Sequence, residues 1–317
     1  MHGAIQGGWV WNYSQPLQGA PRGVKGLLET AGFRVFNPTL PCHSPSHRAR
    51  DVGCTVLGRV ITAQVYVDSY LQVMRANGLS NVTLVAHSLA GVWAQLVVQQ
   101  EPDAIERIIF LDAVILKSGE SFALNHIGWP AQGLSTLWLG EGTFRQGGLS
   151  YDFWRDLFVQ TRNDNQTFLN DTYARLVPEP RGPCLEHLNM DRFFAMPKLK
   201  VYIIEDQDIS ISVFGTGSQW ATFAGRLWPA ADGADGGLLR LLHADLADHQ
   251  GMLTQPVNVA RAIAAATAIG RGPVAGAMGG AEFAGEALNP EDASAAQVAS
   301  ATGKGQTLDD SQSQVMP

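Results

Sequence analysis

Ser88 is the first candidate for chemistry. It sits in "NVTLVAHSLAGVWAQLVVQQ", where an apolar run, Val82 to Val85, leads through His87 into a helix-length segment that starts at Leu89. A serine hydroxyl becomes a nucleophile only when a base removes its proton, and it must project into a cleft. A sharp turn between a buried strand and a helix projects it, and the helix N-terminus favours negative charge developing nearby. Such turns commonly read G-x-S-x-G, and here Ala86 and Ala90 replace both glycines. Alanine is the next smallest residue, and Gly91 follows directly. Taken by itself, the pattern reads more readily as a serine capping a helix.

A base and an acid must then be found among the remaining residues. Of eight histidines, His87 lies on the strand, His43 and His47 in a Pro/Ser loop, and His126 and His187 in a long insertion. His243 and His249 come late, in "LLHADLADHQGMLTQP", near the end of a last strand. His249 precedes a loop and then a helix, which lets it reach back over the carboxyl edge of a sheet. The acid that orients the imidazole could be Asp112, which ends "IIFLD", or Glu205, Asp206 or Asp208, which end "VYIIEDQD". The opening "HGAIQGGW" could aim a backbone N–H at a reacting carbonyl oxygen, together with the N–H of Leu89.

The elements that must carry these residues alternate between strand and helix. "FRVFNPTL" (33–40), "NVTLVAHS", "RIIFLDAV" and "KLKVYIIEDQD" read as strands buried on both faces. "LAGVWAQLVVQQEP" reads as a helix stopped by Pro102, and "PVNVARAIAAATAIG" as a helix with Pro at its start and Gly at its end. The class is α/β with a mainly parallel sheet. Residues 116–196 break the rhythm and are rich in Trp, Phe and Leu, as expected of a helical cap over a site. Trp129, Trp138 and Trp154 are its candidate substrate contacts. From residue 272 to 317 the chain turns to Gly, Ala, Ser and Gln with scattered acids, and is expected to be a disordered tail after a single domain over 1–271.

Of the 317 residues 45% are hydrophobic and 16% charged, an ordinary globular composition. The net charge is −7, and the tail concentrates it: six acids there face one base, Lys304. The nearly neutral body has no Lys/Arg run, which argues against nucleic acid or an anionic membrane as partner. Three widely spaced cysteines suggest a reducing compartment rather than a disulfide framework, and no C-x-x-C pair suggests zinc. The start has no signal-peptide pattern and no stretch approaches membrane-spanning length. A cytoplasmic protein is expected.

Five motifs in order carry a resemblance. "HGAIQGGWVW", "LVAHSLAG", "FLDAV", "YIIEDQDIS" and "DHQGMLTQP" resemble the α/β-hydrolase group that holds plant hydroxynitrile lyases, salicylate-type methyl esterases and their bacterial relatives. The likeness runs from His2 to about Ala266. It implies an α/β-hydrolase fold with Ser88 as nucleophile, His249 as base, Asp206 as acid with Asp112 second to it, and the N–H groups of Ala4 and Leu89 as an oxyanion hole. No metal or organic cofactor is implied. In this group the lyases carry Thr after the first His and Lys after the catalytic His. Gly3 and Gln250 stand there in this chain, which resembles the esterases instead. The resemblance also implies a strand before the oxyanion motif, lying between those of "FRVFNPTL" and "NVTLVAHS". The chain begins after that point, so an N-terminal truncation is an expectation of the sequence.

The reaction implied is hydrolysis of a small, largely apolar carboxylic ester through an acyl-enzyme, with a small-molecule partner. The same scaffold could instead cleave an amide, carbamate or lactone, or act as a lyase, and a substrate panel separates these. A non-catalytic ligand-binding relative would resist a serine-directed label.

Overall fold

The computed structural model describes residues 1–14, 23–44, 55–56, 59–122, 151–160, 165–177, 179–210, 219–227 and 239–270. Helices α1 (Trp9–Asn12) and α2 (Gly23–Thr30) come first, then a short antiparallel pair, β1 (Thr55–Val56) and β2 (Arg59–Val60). The βαβ core follows: α3 (Ala63–Ala76), β3 (Val82–His87), α4 (Ala90–Gln100) and β4 (Ile105–Leu111). Among the described residues, four helices stand between β4 and β5 (Leu199–Glu205): α5 (Tyr151–Phe158), α6 (Gln166–Ala174), α7 (Arg181–Leu185) and α8 (Asp191–Ala195). The chain then forms α9 (Gln219–Arg226), β6 (Leu239–Ala244), α10 (Gly251–Thr254) and α11 (Pro256–Ala268).

Strands β3 to β6 form one parallel sheet in sequence order. Side chains alternate across a strand, so each central strand feeds two cores. Ile108 and Phe110 of β4 join Tyr202 of β5 and the apolar faces of α3 and α4. Ile109 and Leu111 join Val201, Ile203 and residues of α1, α2, α10 and α11 on the other side. Burial on both faces explains why β4 and β5 read as nearly unbroken apolar runs. Thr62 caps α3 by accepting the Val65 N–H, and Pro256 occupies the first turn of α11, where no N–H is needed.

Two expectations are corrected here. "FRVFNPTL" forms no strand; residues 33–40 run without regular structure. A strand needs a neighbour for its backbone groups. The outer edge of β3 is met by Met1, whose amino group donates to Val85 O at 2.6 Å and whose carbonyl accepts the His87 N–H at 3.3 Å. Between residues 33–38 and that edge lies a cavity of about 510 Å3, lined by Met1, Phe33, Val35, Val82 and Leu84 among others. The second correction concerns the thiols. Cys42 is disulfide-bonded, and Cys184 is free and buried. The cysteines therefore lend no support to a reducing compartment. Among the described residues, no helix is long and apolar enough to cross a membrane. The expected tail, 272–317, lies outside the described residues.

Helix α4 approaches the chain after β4 closely enough that a Cβ on Gly91 would lie 2.3 Å from the carbonyl oxygen of Val114. Backbone cannot yield as a flexible side chain can. Gly91→Ala is expected to cost about 1–3 kcal/mol, read as a lowered urea midpoint with an unchanged slope.

Candidate active site

Three loops at the carboxyl edge of the sheet bring the site together, where open parallel sheets place their ligands. Ser88 follows β3, Asp208 follows β5 and His249 follows β6. Ser88 has φ +55°, a left-handed conformation unusual outside glycine, as a sharp strand-to-helix turn demands. Its N–H donates to Leu111 O at 3.2 Å, and its carbonyl accepts the N–H groups of Gly91 and Val114 at 3.1 and 2.9 Å. Ala86 and Ala90 flank it fully buried, so a methyl group fits where glycine was expected.

His249 Nε2 lies 3.0 Å from Ser88 Oγ, and Nδ1 lies 2.6 Å from Asp208 Oδ2. These partners assign the proton to Nδ1, since a carboxylate can only accept, and leave Nε2 to accept the serine hydroxyl. The acid expected from the sequence, Asp206, is elsewhere. Asp206 Oδ1 pairs with His243 Nδ1 at 2.6 Å, with both side chains about one-third exposed. A turn closed by Asp208 N–H on Glu205 O at 3.0 Å swings Asp208 inward and leaves Asp206 outside. Asp112, the second choice, accepts the Glu205 N–H at 2.9 Å and so joins β4 to β5.

The loop at residues 2–6 passes against the nucleophile. A Cβ on Gly3 would stand 2.9 Å from Ser88 Cβ. His2 is neutral: Nδ1 faces Gly3 O at 2.9 Å, Nε2 accepts the Leu40 N–H at 3.1 Å, and burial with the adjacent His43 charge holds its pKa well below the ordinary range. Among the described residues neither the Ala4 N–H nor the Leu89 N–H has a hydrogen-bond partner. Leu89 is the N-cap of α4, so its N–H also lies at the positive end of that helix. Gln250 donates no charge here; its Oε1 accepts from Gln6 Nε2 at 2.6 Å, tying the base loop to the loop at 2–6.

Of the expected aromatic contacts, Trp129 and Trp138 lie outside the described residues. Trp154 is fully buried against Tyr151 and Tyr173 and offers no surface to a ligand. The aromatic that meets the base is Phe158, one turn further along α5, whose ring centroid is 5.1 Å from that of His249. Helical spacing from Trp154 could have indicated it.

Further ionisable groups are buried around the relay. Burial and the neighbouring carboxylates hold Asp112 and Glu205 well above the usual carboxylate range. Burial, then the nearby His249, holds His87 well below the ordinary histidine value. Among the described residues, two groups of side chains could present ligand atoms within 4.8 Å of one another: His87, Glu205 and His249, and Asp112, Glu205 and Asp208. Each includes a residue of the Ser88–His249–Asp208 relay.

With the geometry established, the chain can be compared with known proteins. Residues 1–262 match the model of the alpha/beta hydrolase family. The chain belongs to that family. A carbendazim hydrolyzing esterase from Nocardioides sp. (strain SG-4G) is 27% identical over 121 residues, 38% of this chain. That match spans 43% of the relative's length. Among solved structures, an extracellular alpha/beta-hydrolase from a Paenibacillus species superposes with a TM-score of 0.64 at 24% identity, covering 84% of this chain and 96% of that one. A pyrethroid hydrolase from Sphingobium faniae JZ-2 does so at 0.58 and 19%, with 84% and 96% covered. These likenesses establish the fold.

The raised pKa of Glu205 has a measurable consequence. A carboxyl protonated when folded but ionised when unfolded contributes stability in full below its unfolded value, about 4.3, and loses it as pH rises through the folded value. Wild-type stability should therefore fall as pH rises above that point. Glu205→Gln, which fixes the neutral form, should flatten the fall in urea unfolding between pH 5 and pH 9.

Proposed function

We propose that this protein is a serine hydrolase that cleaves a small, largely apolar carboxylic ester. The observation that carries the reading is the continuous Ser88–His249–Asp208 hydrogen-bonded relay; it is supported by the N–H groups of Ala4 and Leu89, which have no hydrogen-bond partner among the described residues. Asp208 takes the role that the sequence suggested for Asp206.

His249 Nε2 removes the hydroxyl proton as Ser88 Oγ attacks the carbonyl carbon. The imidazolium formed is stabilised by Asp208, and the tetrahedral oxyanion accepts hydrogen bonds from Ala4 N–H and Leu89 N–H. Collapse expels the alcohol, which takes its proton from His249. Water, deprotonated by the same Nε2, then attacks the acyl-enzyme and releases the acid and Ser88. No step calls on a cofactor or metal. The helices at 151–195 serve as the cap, and Phe158 makes the wall beside the base apolar. Gln250, neutral and bonded to Gln6, supplies no positive charge of the kind the lyase resemblance requires. The esterase and hydrolase relatives support the ester class. The disulfide at Cys42 and the extracellular Paenibacillus relative favour an oxidising location over the cytoplasm.

On 4-nitrophenyl butyrate, Ser88→Ala should abolish turnover, and persistence near the wild-type rate would refute the assignment. Asp208→Asn should lower kcat by roughly 10⁴, the scale of the same change in a serine-protease triad. Asp206→Asn should leave kcat within about twofold; the opposite ranking would return Asp206 to the relay.

A further inference from the structure

The loop that offers the Ala4 N–H is held in an uncomfortable shape. Ile5 has φ +61°, a left-handed conformation that a β-branched residue adopts only when its surroundings impose it. Both of its peptide groups are gripped by a short segment far along the chain. The Ile5 N–H donates to Glu179 Oε2 at 2.8 Å, and the Ile5 carbonyl accepts the Val177 N–H at 2.9 Å. Glu179 comes from the insertion between β4 and β5, is 4% exposed, and belongs to neither the relay nor its loops.

The groups around Glu179 require a carboxylate. Its Oε2 also lies 2.8 Å from His43 Nε2, and its Oε1 accepts the Tyr66 hydroxyl at 3.3 Å. His43 Nδ1 faces Pro41 O at 3.0 Å, so both ring nitrogens face acceptors and the ring is a cation. Burial opposes that charge, but the Glu179 carboxylate and its hydrogen bond outweigh burial and raise the His43 pKa. Three donors thus converge on two oxygens. A carboxylate can accept all three, whereas an amide has one acceptor oxygen and adds two hydrogens of its own.

We propose that Glu179 is the positioning residue of the oxyanion hole: with the Val177 N–H it clamps Ile5 and thereby aims the Ala4 N–H, making the insertion part of the catalytic apparatus. The proposal rests on the reading of Ala4 as an oxyanion donor. A misaimed donor weakens binding of the tetrahedral species but not of the ester. The clamp should therefore appear in kcat and not in KM.

The test compares wild type, Glu179→Gln, Glu179→Asp and Ser88→Ala with 4-nitrophenyl butyrate as substrate and 1,1,1-trifluoro-2-octanone as inhibitor, a ketone whose serine adduct carries an oxyanion. Glu179→Gln should lower kcat roughly 10²- to 10³-fold, the effect of losing one oxyanion donor, with KM within about threefold. Affinity for the ketone should fall in parallel. Glu179→Asp keeps the charge opposite His43 but stops one methylene short of Ile5. It should fold and lose up to about 10²-fold in kcat. If Glu179→Gln does not fold, the Asp variant decides. Wild-type kcat and ketone affinity in a folded variant would overturn the proposal, as would a loss of kcat/KM carried by a raised KM with kcat unchanged. Unfolding of both variants would also overturn it, since Glu179 would then hold the domain and not the loop. If Ser88→Ala stays active, the hydrolase reading itself fails, an outcome separate from all of these.

Discussion

The turn from Leu111 to Val114 is the junction on which the site depends. Leu111 O receives the Ser88 N–H and Val114 N–H closes onto Ser88 O, so the turn fixes both sides of the strained nucleophile. Between these two contacts, Asp112 reaches the opposite way. Its N–H donates to Ile203 O at 2.9 Å and its carboxyl receives the Glu205 N–H. Asp112 itself has φ +33°. One four-residue turn therefore locks the end of β3 to the end of β5, the two edges that present Ser88 and Asp208. Strain at Ser88 and Asp112 persists because several backbone hydrogen bonds determine each conformation at once.

A second constraint is electrostatic. Asp112, Glu205, Asp208, His87 and His249 are packed within a few side-chain diameters, and the side chains of all five are buried. Ionising every carboxyl there would place like charges together in a medium that screens them poorly. Burial acts against this, pushing the pKa values of Asp112 and Glu205 up and that of His87 down. Glu205 Oε2 lies 3.7 Å from His87 Nε2, too far for a hydrogen bond, in keeping with two neutral neighbours rather than an ion pair.

The parts of this arrangement that follow strand ends were legible in the sequence. Ser88 follows an apolar run directly and His249 lies a few residues past the last strand, and their place among the five ordered motifs selected them. The acid was misplaced by two residues because strand periodicity stops at Glu205. Beyond it, the side chain that points inward is set by a turn whose hydrogen bonds run to Ala244 and Ala247, about forty residues away. "FRVFNPTL" has the composition of a strand, but composition cannot supply the neighbour that a strand must pair with. Trp154 was drawn to the site by its size, and that same size buried it in the core. Nor could spacing have found Glu179, since its partners, Ile5, His43 and Tyr66, come from three separate regions of the chain.

The two N–H groups proposed to meet the oxyanion differ in what keeps them in place. Leu89 opens a helix whose first turn is already bound to the nucleophile, so its direction is fixed by the same bonds that shape Ser88. Ala4 lies in a loop with no regular structure, and that loop must pass so near the nucleophile that residue 3 has no room for a side chain. A loop so confined cannot stiffen itself through packing of its own side chains. It is held instead from outside, by the Leu40 N–H on His2, by Gln250 on Gln6, and by Val177 and Glu179 on Ile5. Two of these holds come from elements that also serve the base or cover it. In this fold, the segment that would shape the substrate pocket is bonded to the loop that would stabilise charge. Changes to the one are therefore felt in the other.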